Sequence, residues 1–294
     1  LVDAARERLV GFACAAAVVA IWSGFITTSR LGVTTHLPPL DMVALRLAVA
    51  GAVMAPVLWR RRRVSRVGLG QGAALAATAG LGFSLCAFFG FSLAPAGMGA
   101  VLMPGTLPLW TALLAMLVLG ERPGPVRLVG LGAIAAGIAV MLWSATRGIA
   151  PERLVAGGLF LAASILWAVY TVLIRRWRVD ALDGAAAVCV GAAVAYLPAY
   201  ALFADGGLAA VPWTVLVANG LFQGIASTVA SLLLFTRAVQ ALGAARTAMV
   251  TAATPVAATL LAVPVAGDRL EIPILIGVAL VTIGMLAAVF RERG

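Results

Sequence analysis

The chain has 294 residues, 63% of them apolar and only 11% charged, with a mean hydropathy of +1.08. So few charges cannot cover the surface of a water-soluble domain this long, which excludes an ordinary soluble enzyme or binding module. The net charge of +10 comes entirely from arginine, since the chain contains no lysine.

Charges cluster between long uncharged runs, each sized for one membrane-spanning helix of about 20 residues. In chain order these runs are Leu9–Ser29, Leu128–Thr146, Leu154–Ile174, Gly184–Ala204, Gly206–Thr236, Thr247–Gly267 and Ile272–Phe290. Val67–Gly120 is uncharged for 54 residues, enough for two helices divided at the turn signal Ala94-Pro95-Ala96-Gly97. Asp41–Trp59, interrupted only by Arg46, completes a predicted set of ten spans. The first run follows basic residues, as in a signal peptide. It is too long for that and lacks a small-x-small cleavage site, so it reads as a retained span.

Placing the N-terminus in the cytoplasm puts sixteen arginines on the inner side, at Arg6, Arg8, Arg60–Arg63, Arg66, Arg122, Arg127, Arg175, Arg176, Arg178, Arg237, Arg246, Arg291 and Arg293. Four remain outside: Arg30, Arg147, Arg153 and Arg269. That asymmetry predicts cytoplasmic N- and C-termini. It also assigns the basic charge to topology and to anionic lipid. No basic face is left for nucleic acid.

The sequence from Ala94 to Arg122 is echoed from Ala241 to Arg269 at an offset of 147. Pro108 falls on Pro255, Leu113-Leu114-Ala115 on Leu260-Leu261-Ala262, and Gly120-Glu121-Arg122 on Gly267-Asp268-Arg269. Gly130 and Gly137 fall on Gly277 and Gly284, and Trp22 falls on Trp167 at offset 145. Coincident prolines, acids and glycines at one offset indicate an internal duplication. Five spans per copy is odd, so the second copy lies inverted in the membrane, an architecture in which secondary transporters bind substrate where the halves meet.

These features resemble the EamA-type proteins of the drug/metabolite transporter superfamily, whose chains carry two copies of a five-helix unit. Each unit of that family ends in a proline-containing helix, a Gly-Glu-like stop and a Gly-rich helix. Trp22-Ser23-Gly24 and Leu45-Arg46-Leu47 are similar to its first-unit motifs. The two units here are residues 9–146 and 153–290. The second departs in carrying Asp268 for Glu and in lacking an arginine equivalent to Arg46. The resemblance implies a multi-pass transporter of the bacterial inner membrane, in a family whose exporters include ones for aromatic and other amino acids.

Candidate site residues follow from polarity inside the spans. Arg46 is the one charge within a span, close to the outer end; it either snorkels to the interface or attracts a substrate carboxylate. Asn219, Gln223, Ser227 and Ser231 recur every four residues on the eighth span, one α-helical face about 18 Å long. Gln223 at its centre donates and accepts, and reads as the main polar contact, with Ser227 and Ser23 nearby. Trp22, Phe83, Trp167 and Tyr170 read as apolar walls. Pro104, Pro108 and Pro255 break or kink their helices and free backbone carbonyls.

All eleven acids fall at helix ends, loops or tails. This predicts transport without obligatory proton coupling, by a facilitator or exchanger. Three cysteines without close spacing and a single histidine, His36, offer no metal site, cofactor ligand or catalytic constellation. The expectation is an all-α integral membrane protein of ten transmembrane helices, two inverted five-helix repeats, competent as a monomer. It moves small molecules, amino acids first among them, by alternating access. The alternatives are efflux of lipophilic drugs and, in a different class, an intramembrane enzyme or scaffold.

Overall fold

The computed structural model describes residues 2–61, 67–121, 123–147, 151–203 and 207–289. Arg62, Arg63, Arg66, Arg122, Arg291, Arg293 and the side chain of Arg147, all used in the orientation argument, lie outside the described residues, as do the predicted span ends at 204, 206 and 290. Among the described residues every regular element is helical.

The first half runs α1 (Val2–Thr35), α2 (Pro39–Arg61), α3 (Leu69–Leu93), α4 (Ala96–Leu102 and Leu107–Leu119) and α5 (Pro125–Arg147). The second half runs α6 (Glu152–Trp177), α7 (Ala181–Phe203), α8 (Trp213–Leu242), α9 (Ala244–Thr251 and Thr254–Ala266) and α10 (Ile272–Val289). Among the described residues nine helices, α1 to α9, are long and apolar enough to cross a membrane. Ile272–Ala288 of α10 is apolar but shorter. Trp59, Trp143 and Trp213, near helix ends, are exposed, as an interfacial aromatic belt requires.

The halves pack by exchange. Helix α2 pairs with its counterpart α7, and α5 with α10. Helix α1 packs on α8 and α9, and in the mirrored arrangement α6 packs on α3 and α4. Small residues permit the like-with-like pairs, because backbones in lipid approach only where side chains are small. A Cβ on Gly130 would lie 2.6 Å from the Gly284 carbonyl oxygen, and one on Gly137 would lie 3.3 Å from that of Gly277. Since Gly130 and Gly137 are the repeat partners of Gly277 and Gly284, these two contacts are images of each other. Likewise a Cβ on Gly51 would meet Ala193, its own counterpart at offset 142, at 2.7 Å.

The acids that open α2 and α7 hold these partners together. Asp183 on α7 accepts a hydrogen bond from Arg61 at the end of α2, and Asp41 on α2 accepts from Tyr200 on α7 at 2.6 Å. Gly120 and Gly267 end the second halves of α4 and α9 in the left-handed region, with φ of 72° and 67°. Glycine adopts that conformation without steric cost. The following acids, Glu121 and Asp268, are thereby set at equivalent corners.

Candidate functional site

Two local departures from the α-helix shape the centre of the molecule. The first lies in α3 and α8. Residues Ala76–Gly82 and Gly220–Ala230 form π-helix, and at offset 148 the first segment coincides with 224–230 of the second. The π segment of α8 packs on α2, and that of α3 packs on α7. π segments widen the turn and often mark functional sites.

This corrects the expected α-helical face of α8. A wider turn rotates residues four apart progressively round the axis, and each polar group finds its own partner. Asn219 Nδ2 donates to the Val215 carbonyl at 3.0 Å, and Ser231 Oγ to that of Ser227 at 2.8 Å. Gln223 Nε2 donates to Thr28 Oγ1 and Ser29 Oγ on α1, both at 3.2 Å. Only Ser227 of the four lines the central cavity.

The second departure is the pair of breaks in α4 and α9. Met103–Thr106 is unwound between the halves of α4. Pro108 and Pro255 each occupy the second position of a new half-helix, where no backbone donor is needed. They therefore start helices; the expected mid-helix kink with freed carbonyls is not their effect. Pro104 lies within the break itself. The Met103 carbonyl there accepts from Ser164 Oγ at 2.8 Å. Thr106 Oγ1 donates to Ser164 Oγ at 2.9 Å and accepts from Trp110 Nε1 at 3.1 Å.

Between these features lies a cavity of about 80 Å³. Trp22, Phe25 and Ile26 of α1, Arg46 of α2, Phe83 of α3, and Ser164 and Trp167 of α6 line it. Met103, Pro104 and Leu107 at the break in α4, with Ser227, complete the wall. The aromatic side chains pack on one another. Phe83 lies 4.9 Å from Trp167 and 6.1 Å from Phe25, centroid to centroid.

Arg46 is 5% exposed and does not snorkel to the interface. Its Nη1 donates to Ser227 Oγ at 2.9 Å and makes longer contacts to the Gln223 carbonyl at 3.3 Å and Gln223 Oε1 at 3.4 Å. Its guanidinium lies 5.0 Å from the centroid of the Phe25 ring. Among the described residues its hydrogen bonds all run through Nη1, and no carboxylate forms an ion pair with it. A buried cation without an anion is costly in a membrane interior, which makes such residues functional by default.

Of the residues singled out by sequence, Trp22, Arg46, Phe83, Pro104, Trp167 and Ser227 therefore meet at one cavity. Gln223 is completely buried and stands behind Arg46, off the cavity wall. Ser23 is 2% exposed, also off the wall, and its hydroxyl has no hydrogen-bond partner among the described residues. Tyr170 packs on Trp167 at 5.6 Å from outside the wall. Pro108 and Pro255 lie beyond it. The sequence reading missed Phe25, Ile26, Ser164, Met103 and Leu107. Helical spacing places three of these beside known wall residues: Phe25 and Ile26 follow Trp22 by three and four, and Ser164 precedes Trp167 by three.

Residues 9–143 and 155–290 each match the model of the EamA-like transporter family. The chain belongs to that family. Two matches in tandem agree with the duplicated glycines and with the exchange packing of the halves. EamA-like proteins are small-molecule transporters of the membrane. One solved protein crystal structure shares 24% identity over 98% of both chains, with a TM-score of 0.59, which shows a common fold. No curated protein matches the sequence.

Proposed function

We propose that this EamA-like transporter facilitates export of small amphiphilic metabolites bearing a carboxylate, amino acids with aromatic or bulky apolar side chains among them. In this reading the chain spans a bacterial inner membrane ten times, as inverted five-helix units at residues 9–146 and 153–290, with both termini in the cytoplasm. The observation that carries the proposal is the fork of Arg46, with Nη2 and Nε making no hydrogen bond among the described residues and Nη1 fixed behind. Two parallel N–H groups are the geometric complement of a carboxylate.

Gln223 acts through Arg46. Its amide protons are committed to Thr28 and Ser29, and its two oxygens with Ser227 hold the guanidinium in register. Trp22, Phe25, Phe83 and Trp167 supply the apolar walls. Carbonyl groups in the unwound segment of α4 offer acceptors to an ammonium group, as broken helices do in other transporters. Among the described residues no carboxylate lines the cavity, which supports movement without obligatory proton coupling.

The test is uptake into proteoliposomes of phenylalanine, leucine, 3-phenylpropanoate, 3-phenylpropanamide and a neutral lipophilic dye. The carboxylates are expected to enter in a protein-dependent manner and the amide is not. The mostly apolar lining supports a second reading, efflux of lipophilic compounds. That reading takes over if the dye moves and the carboxylates do not.

A further inference from the structure

The chain carries two repeat-related pairs of charged residues, and the structure shows them in different states. Arg30 at the end of α1 corresponds to Arg175 at the end of α6, at offset 145. Asp268 after α9 corresponds to Glu121 after α4. Glu271, three residues beyond Asp268, pairs with Arg153 at the start of α6, and Glu121 pairs with Arg175 near its other end. Those two ends are 22 residues apart, roughly 33 Å along a helix. The two corners therefore lie on opposite faces of the bundle.

The Asp268 face is docked. Asp268 Oδ2 accepts from the Ala96 N–H at 2.6 Å, at the start of α4. Arg30 Nη1 donates to the Phe91 carbonyl at 2.6 Å and to that of Ser92 at 3.3 Å, at the end of α3. Acid and arginine thus clasp the corner between α3 and α4, Asp268 from the other half and Arg30 from the same one. Ala96 is completely buried there.

The Glu121 face is not docked. The residue equivalent to Ala96 is Gly243, which is exposed, and nothing lies within 4 Å of a Cβ built on it. Its φ is 86°, whereas Ala96 is not among the positive-φ residues. Glu121 makes no hydrogen bond to the start of α9 among the described residues. It pairs instead with Arg175, and both side chains are nearly half exposed. Exposed pairs of that kind are weak and separate readily.

We propose that Glu121 and Arg175 are the second of two alternating latches. In the opposite state Glu121 docks on the backbone N–H groups of Gly243 and Ala244, and Arg175 on the carbonyl groups of Val239 and Gln240. The Asp268 clasp opens at the same time. This rests on the alternating-access reading above, and it names the contacts that close each face. Gly243 is the hinge, because glycine passes between positive and negative φ at no steric cost. Burial pushes the Asp268 carboxyl above its ordinary value, outweighing the lowering by the Ala96 and Gly97 N–H groups and Arg30; Glu271 raises it further.

Two measurements in membrane vesicles test the latch without any substrate, so they succeed or fail separately from the transport reading. In a chain with Cys14, Cys86 and Cys189 replaced, the pair Glu121→Cys and Ala244→Cys is expected to form a reversible disulfide under mild oxidation. The pair Asp268→Cys and Gly97→Cys is the control. Crosslinking of the control alone overturns the proposal. In a second background Ser227→Cys reports labelling of the cavity by a membrane-impermeant maleimide from each face. Asp268→Ala is expected to raise labelling from the Asp268 face about tenfold, the effect of losing a hydrogen bond to a charged acceptor. Glu121→Ala is expected to lower it. No change with either variant, or the same direction with both, contradicts the latch.

Discussion

Replacing Arg46 by methionine separates the charge from the shape of the cavity. Methionine fills much of the same volume and suits an apolar interior, and it removes a buried cation that no carboxylate balances among the described residues. The variant should therefore insert and fold, since exchanging a buried charge for a well-packed apolar side chain is often neutral or stabilising. Binding should not survive. A carboxylate on Nη2 and Nε gains two charge-assisted hydrogen bonds at about 1.5–3 kcal/mol each, so about 3–6 kcal/mol is lost with the fork. At 1.4 kcal/mol per decade, this is at least about a 100-fold loss of affinity. The cation–π contact between Arg46 and Phe25 disappears too, but that loss is common to acid and amide. The assay is competition by 3-phenylpropanoate and by 3-phenylpropanamide for the wild type and the variant in nanodiscs. The acid should weaken by two decades or more and the amide by about a decade less, since its single carbonyl oxygen takes one hydrogen bond from the guanidinium where the carboxylate takes two. Equal losses for acid and amide, or none for either, would refute the assignment of Arg46.

Gln223→Leu leaves Arg46 in place but frees it to turn, and should weaken carboxylate binding about 5- to 150-fold through loss of about 1–3 kcal/mol of positioning, read in the same competition assay. Trp167→Ala opens the wall beside Phe83 and should lower the preference for phenylalanine over leucine, measured as the ratio of their uptake rates. A reporter active only in the cytoplasm should work when fused after Arg176 and fail after Gly97; the reverse pattern would invert the assigned topology. Uptake into proteoliposomes should run at the same rate with and without an imposed pH gradient. Concentrative uptake abolished by a protonophore would bring Asp41, Glu121 or Asp268 into the mechanism.

Much of this architecture is legible in the sequence, because lipid imposes one rule at a time. Uncharged runs of 19 to 31 residues mark helices, and the offset of Gly130 and Gly137 from Gly277 and Gly284 marks the two copies, though that these glycines face one another shows only in the fold. Arg46 stands out for the same reason: a lone charge in a span needs an explanation. The π segments are different. Nothing in Gly220–Ala230 distinguishes an i→i+5 ladder from an α-helix, since both satisfy the backbone within the segment. The expected polar face of α8 was drawn with the wrong pitch, and Gln223 falls behind Arg46 as a result. The misreading of Pro108 and Pro255 has a similar origin. A proline disrupts the interior of a helix but suits its first turn, and only the unwound residues before it tell which applies. Ser164 escaped notice because its role depends on the Met103 carbonyl, 61 residues away.

The central claim is that a substrate carboxylate sits on the unused edge of the Arg46 guanidinium. A structure of the transporter soaked with phenylalanine tests it most directly. The account predicts carboxylate oxygens about 2.7–2.9 Å from Nη2 and Nε, with the phenyl ring among Trp22, Phe83 and Trp167. A phenylalanine bound in the cavity with its carboxylate turned away from Arg46, or bound elsewhere in the protein, would contradict it.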